Sequence, residues 1–207
     1  MYIPPAFQET DLPFIHATMR SAHLANLVLA TAGGPVATPL PLLLDEAEGP
    51  HGTLYGHVSR ANPLWKEGVV GDALAIFMGP NAYVSPSWYP TKQQTGKVVP
   101  TWNYVAVHAY GPIEFFDDAE RLLDVVTRLT ELHEGRRAAP WAVDDAPADF
   151  IRSQLKGIVG FRLPIGRLDA KRKMSQNRNA EDRAGVAAGL AASGEASDRL
   201  VAPLVPE

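Results

Sequence analysis

The stretch 102–116 constrains the fold more than any other part of the chain. Trp102, Tyr104, Ala106, His108 and Tyr110 alternate with Asn103, Val105 and Val107, which is the two-residue period of a β-strand. Both faces of that strand are largely apolar, so each needs cover. A barrel interior can cover one, and helices or a second copy of the chain the other. A homodimer is therefore expected. Other strand-like runs occupy 26–32, 36–44, 53–59, 73–78, 82–85 and 159–165, the first two joined by Gly33-Gly34, a hairpin signal. Pro39 and Pro41 cannot donate ladder hydrogen bonds, which points to an edge strand.

Helical patterns lie between these runs. Residues 10–22 read as a short helix that Asp11 can cap. In 117–134, Asp117 and Glu120 resemble a capping box, and Leu122, Val125, Val126, Leu129 and Leu132 form an apolar stripe. A short helix opens at Pro147 and closes at Gly157, and another begins after Asn179. Separated strand runs with helices between them, without regular βα alternation, indicate a mainly β fold: an antiparallel β-barrel with flanking helices. One domain is expected over 1–190. The tail 191–207, rich in Ala, Ser, Gly and Pro, is expected to be mobile.

Composition narrows the chemistry. The 207 residues include no cysteine, which excludes disulfides and thiolate catalysis or metal binding. No apolar run approaches the ~20 residues that span a bilayer, and the N-terminal sequence lacks signal-peptide character. A cytoplasmic location without membrane attachment is expected. The net charge of −4 gives no support to wholesale nucleic-acid binding. Charge is uneven, however. Residues 114–149 carry 4 basic and 10 acidic side chains, net −6, whereas 150–183 carry 9 and 3, net +6. The basic segment suits a local anion such as a cofactor phosphate, or is a solvated face.

Three stretches could carry chemistry. In 56–63 a strand, with His57 and Val58, runs into a helix start at Asn62-Pro63, and Ser59 and Arg60 sit at the junction. Unpaired backbone N–H groups and an Arg fork there suit a phosphate; the alternative is a well-capped turn with an exposed Arg. In 171–178 four cations accompany Ser175, Gln176 and Asn177, which suits a phosphate, the polar edge of a flavin, or a solvated basic loop. Aromatic-flanked segments 84–89 and 99–104, the latter with Thr101 and Asn103, bracket a long loop fit for a lid or a dimer-crossing segment. The six histidines show no metal-ligand spacing, so no metal site and no catalytic residue is assigned. No phosphate loop, dinucleotide fingerprint, nucleophile elbow or helix-turn-helix is visible.

Taken in order, Tyr2-Ile3-Pro4, Thr38-Pro39-Leu40-Pro41-Leu42, Gly56-His57-Val58-Ser59-Arg60-Ala61-Asn62-Pro63, 82–89, 99–104 and Lys173-Met174-Ser175-Gln176-Asn177-Arg178 closely resemble the PaiB-like family. That family is described as FMN-binding negative transcriptional regulators, and the resemblance runs from Met1 to about Leu190. It implies a split β-barrel whose homodimers bind FMN at the subunit interface. It also implies FMN contacts among His57, Val58, Ser59, Arg60, Asn62, Thr101, Asn103, Lys173, Ser175, Gln176 and Asn177. The functions to separate are a flavin-binding regulator and a flavin-dependent oxidoreductase acting on a small molecule. Direct DNA binding is doubtful, because the only basic segment is the one a cofactor would occupy.

Overall fold

The computed structural model describes residues 1–207. Ten strands are present: β1 (Gln8–Glu9), β2 (Ala25–Thr31), β3 (Gly34–Leu40), β4 (Leu43–Asp45), β5 (Thr53–Ser59), β6 (Ala73–Val84), β7 (Thr101–Gly111), β8 (Glu114–Phe116), β9 (Ile158–Pro164) and β10 (Arg167–Lys173). Six helices accompany them: α1 (Leu12–Ser21), α2 (Thr91–Thr95), α3 (Ala119–Glu134), α4 (Ala148–Leu155), α5 (Ala180–Ala191) and α6 (Ala196–Val201). The fold is mainly antiparallel β with flanking helices, as the sequence pattern requires. No helix is long and apolar enough to cross a membrane.

The chain forms two compact units. Unit 1 comprises Met1–Ser21, Met78–Val107 and Asp169–Glu207; unit 2 comprises Ala22–Phe77 and His108–Leu168. Strands β6 and β7 contribute residues to both.

In unit 1 the strand order is β1–β10–β7–β6. Ala82, Val84, Tyr89, Val105 and Met174 pack with Val186 and Leu190 of α5 and with Val201 and Val205. Residues 191–207, read from composition as a mobile tail, thus form α6 and a further turn that bury two valines. Arg183 donates to the carbonyls of Pro206 and Glu207, and Arg172 donates to that of Leu204. Alanine favours helix, and Val201 and Val205 supply the apolar contacts.

In unit 2, β6–β2–β3 form one set and β4–β5–β9–β8 the other. β3, which holds Pro35 and Pro39, lies at the edge, where missing donors cost nothing. The β2–β3 hairpin turns through Ala32-Gly33, with Thr31 opposite Gly34, and it is Gly34 that takes the positive φ, at 109°. The run 102–116 divides at Gly111-Pro112 into β7 and β8, since Pro112 has no N–H to continue a ladder. A Cβ on Gly111 would lie 1.9 Å from the Pro164 carbonyl oxygen, so only glycine allows that approach. Leu122, Val125 and Leu129 of α3 pack on Leu43, Phe116 and Leu155. The α3 cap is Asp118, one residue later than the pattern suggested; its carboxylate accepts from Arg121 N at 2.9 Å.

Candidate functional site

Unit 1 brings five of the expected residues together. Thr101 and Asn103, two apart on β7, point to the same side. Lys173 closes β10, and the chain then turns through Ser175, whose φ of 64° makes it the one non-glycine residue in the left-handed region. Thr101, Asn103, Lys173, Ser175, Asn177 and Arg178 enclose a polar cavity of about 40 Å³. A single water needs roughly 10–15 Å³ on this measure, so the cavity has the scale of one small polar group.

Its hydrogen bonds are incompletely spent. Lys173 Nζ donates to Thr101 Oγ1 and, at 2.6 Å, to the Trp102 carbonyl. Ser175 Oγ donates to Asn103 Oδ1 at 3.2 Å. Asn103 is fully buried, yet its Nδ2 has no partner. Leaving a buried donor unmade costs about 1–3 kcal/mol, so this amide is poised for an acceptor. Burial, reinforced by Lys171 and Arg178, pushes the Lys173 ammonium below the ordinary lysine value. Gln176 serves the turn itself: its Oε1 accepts from Met174 N at 2.6 Å and its Nε2 donates to the Arg172 carbonyl. Arg178 lies 4.8 Å from the Tyr89 ring centre. The chain next to the cavity is also fixed. Buried Asp182, at the start of α5, accepts from both Thr91 N (3.1 Å) and Thr91 Oγ1 (2.9 Å).

The other five candidates belong to unit 2 and have their own surroundings. Val58 is a core residue, and Ser59 Oγ accepts from Ala61 N at 3.3 Å. Asn62 caps the 3-10 turn Pro63–Trp65 by accepting from Leu64 N at 3.0 Å. The Arg60 fork is largely committed. Nε donates to the Lys156 carbonyl (2.8 Å), Nη2 to the Ile158 carbonyl (3.2 Å), and Nη1 sits 3.5 Å from the Asp117 carboxylate. Arg60 also borders a cavity of about 290 Å³ with Arg152, Lys156 and Asp117. His57 lines a different cavity of about 320 Å³ with Pro41, Val126, Leu129, His133 and Trp141. Its Nδ1 is buried without a partner, and burial pushes its pKa down.

The donor set around Asn103 and Lys173 fits an oxyanion: buried amide, ammonium and guanidinium converge, and no carboxylate lines the cavity. Arg178 is the one lining residue that sequence reading left out, although it closes the same motif.

A family model described as "Putative FMN-binding domain" matches residues 1–167. The chain belongs to this family. The FMN-binding-domain match ends at Arg167, so the turn 173–178 lies beyond it. Among related proteins of the family's kind, "Protease synthase and sporulation protein PAI 2" of Bacillus subtilis is 37% identical over 183 residues, covering 88% of this chain and 85% of that protein. An uncharacterized Aspergillus fumigatus protein is 32% identical and covers 100% of this chain and 97% of its own length. Solved structures with the same fold include the flavocytochrome Anf3 of Azotobacter vinelandii, with TM-score 0.56 and 18% identity, covering 86% of this chain and 75% of that one. The FAD and heme binding protein of Mycobacterium smegmatis gives TM-score 0.55 at 18% identity, covering 88% and 80%. The split-barrel class and the PaiB-type relationship implied by the motifs therefore hold, and FMN is the family's cofactor.

Proposed function

We propose that this FMN-binding-domain protein is a PaiB-type flavoprotein that anchors FMN by its phosphate on Asn103, Lys173, Ser175 and Arg178. The observation that carries the reading is the buried, unpartnered Asn103 Nδ2 beside the Lys173 ammonium. When bound, FMN supplies electron-transfer chemistry that no side chain of the chain can supply. The protein's share is to hold and orient the cofactor: Lys173, kept in place by Thr101 Oγ1 and the Trp102 carbonyl, sets the charge, and the Ser175 turn sets the reach.

Titration with FMN and with riboflavin, which lacks the phosphate, tests this. Lys173→Met should weaken FMN by roughly tenfold or more, the worth of one charge-assisted hydrogen bond, and leave riboflavin unchanged. Equal weakening of both ligands in a folded variant would move the phosphate elsewhere. A second reading places it at Arg60, favoured by the cavity that Arg60 shares with Arg152 and Lys156.

The biological role we infer is negative transcriptional regulation in the cytoplasm. Support comes from the motif resemblance and from a relative named a sporulation protein. Flavin-dependent oxidation of a small molecule is the alternative, favoured by the flavocytochrome among the structural neighbours. FMN-dependent turnover of a reduced nicotinamide would select the enzyme; a salt-sensitive, sequence-selective shift of a promoter fragment would select the regulator. The protein acts as a homodimer in this proposal. Half-exposed Met78, Tyr83 and Trp102 on β6 and β7 offer apolar surface to a second copy, and Tyr83 and Trp102 stack edge to face at 6.0 Å. Light scattering should return twice the 22.4 kDa chain mass; the single mass at micromolar concentration would count against it.

A further inference from the structure

We propose that the cleft between α3 and α4 in unit 2 binds a small amphipathic cation, an apolar or aromatic body bearing a protonated amine. The cleft measures about 950 Å³, at the upper end of the roughly 300–1,000 Å³ typical of small-molecule sites. Leu123 on α3, Val143 on the connecting segment, and Ile151 and Leu155 on α4 give it apolar walls. Leu123 is 40% exposed, whereas its neighbour Leu122 is buried in the core. The helix thus carries apolar surface on a side that the core does not use, and that surface lines the cleft.

Charge decides which ligand fits. Glu131, Asp144 and Asp145 line the cleft against a single cation, Arg152. All three acids come from the segment 114–149, whose net −6 the flavin reading leaves without a role. Asp145 is partly engaged, because its Oδ2 accepts from Ala142 N at 2.8 Å. Glu131 and Asp144 remain to receive an ammonium group. Beside apolar walls such a pair is less screened than in open water, and an anion of the same shape would meet an excess of like charge. The proposal does not rest on the FMN reading, since every residue it uses lies in unit 2 and none belongs to the Asn103 cavity.

The test is calorimetric titration of the full-length protein with 4-phenylbutylamine and 4-phenylbutyrate, which share a carbon skeleton and differ in charge. The amine should bind one per chain and weaken with salt, with the carboxylate at least about fivefold weaker, the order expected of two partly exposed ion pairs. The double substitution Glu131→Gln, Asp144→Asn should reduce amine affinity about fivefold or more. Leu123→Arg should abolish amine binding while leaving FMN binding and the circular dichroism spectrum at parent values. If the double variant fails to fold, Asp144→Asn alone, at an exposed position, gives the same readout with about half the effect in free energy. Equal binding of the two probes, binding of neither, or amine affinity unmoved by the carboxylate substitutions would each overturn the proposal.

Discussion

Lys173 and Arg60 make an instructive pair. Each is a cation at the end of a strand, next to a polar turn that the sequence offers as a phosphate site. The Arg60 fork reaches the Lys156 and Ile158 carbonyls and so ties β5 to the end of α4 and the start of β9. The Lys173 ammonium also has two acceptors, but it stands beside Asn103, a buried donor with nothing to bond. Motif chemistry is the same in both places. The two places differ in the donor capacity left over after the fold has taken its share.

Arg60→Ala should have the largest effect on the fold. Losing two charge-assisted bonds to carbonyls, discounted because the side chain is 36% exposed, should lower stability by about 2 kcal/mol in urea unfolding. The ratio of FMN to riboflavin affinity should stay constant in that variant. A fall in the ratio would restore Arg60 as the phosphate holder.

Asn103→Leu should cost roughly tenfold in FMN affinity, one hydrogen bond to a charged group. Its effect on unliganded stability should be smaller than that of Arg60→Ala, because relief of an unmet donor offsets the cost of leaving the buried Ser175 hydroxyl without its acceptor. A flavin titration paired with urea unfolding reads both. Unchanged FMN affinity would leave the buried amide without a ligand role.

The smallest effect is one of pH. Lys173 releases its proton below the ordinary lysine value of 10.5 because burial, Lys171 and Arg178 oppose its charge. Between its folded pKa and 10.5 the unfolded chain binds more protons than the native one. This residue therefore makes the unliganded protein more stable as pH rises through that window. FMN affinity should move the other way and weaken as the ammonium is lost, while riboflavin affinity does not follow it. Parallel curves for the two flavins would detach Lys173 from the phosphate.

Much of the fold was legible in the residues. The alternation through 102–116, the α3 stripe and the prolines of β3 each state a local rule that the structure obeys. β10 was not legible as a strand. Its sequence, Arg-Leu-Asp-Ala-Lys-Arg-Lys, has no apolar alternation, and its place between β1 and β7 is set by backbone pairing. The candidate site was half legible: the residue types in 171–178 suited an anion, whereas 99–104 read as the flank of a lid or dimer-crossing loop, and Thr101 and Asn103 entered only through the family resemblance. Which donors remain free depends on distances across β7 and β10, and no sequence pattern records those. Nor does sequence show that Ser59 and Asn62 each accept a backbone N–H within their own turn.

The make-up of the two units also bears on how the chain is born. Unit 2 has all its residues once Leu168 has been synthesised, whereas the unit 1 core closes only when Val201 and Val205 arrive. At ribosomal rates of roughly 5–20 residues per second, the intervening stretch takes about 2–8 seconds to make. Until Ala191 has been made Tyr89 and Val105 lack a complete α5, and until Val201 they lack α6. Unit 1 is thus the later of the two cores to have all its residues during synthesis.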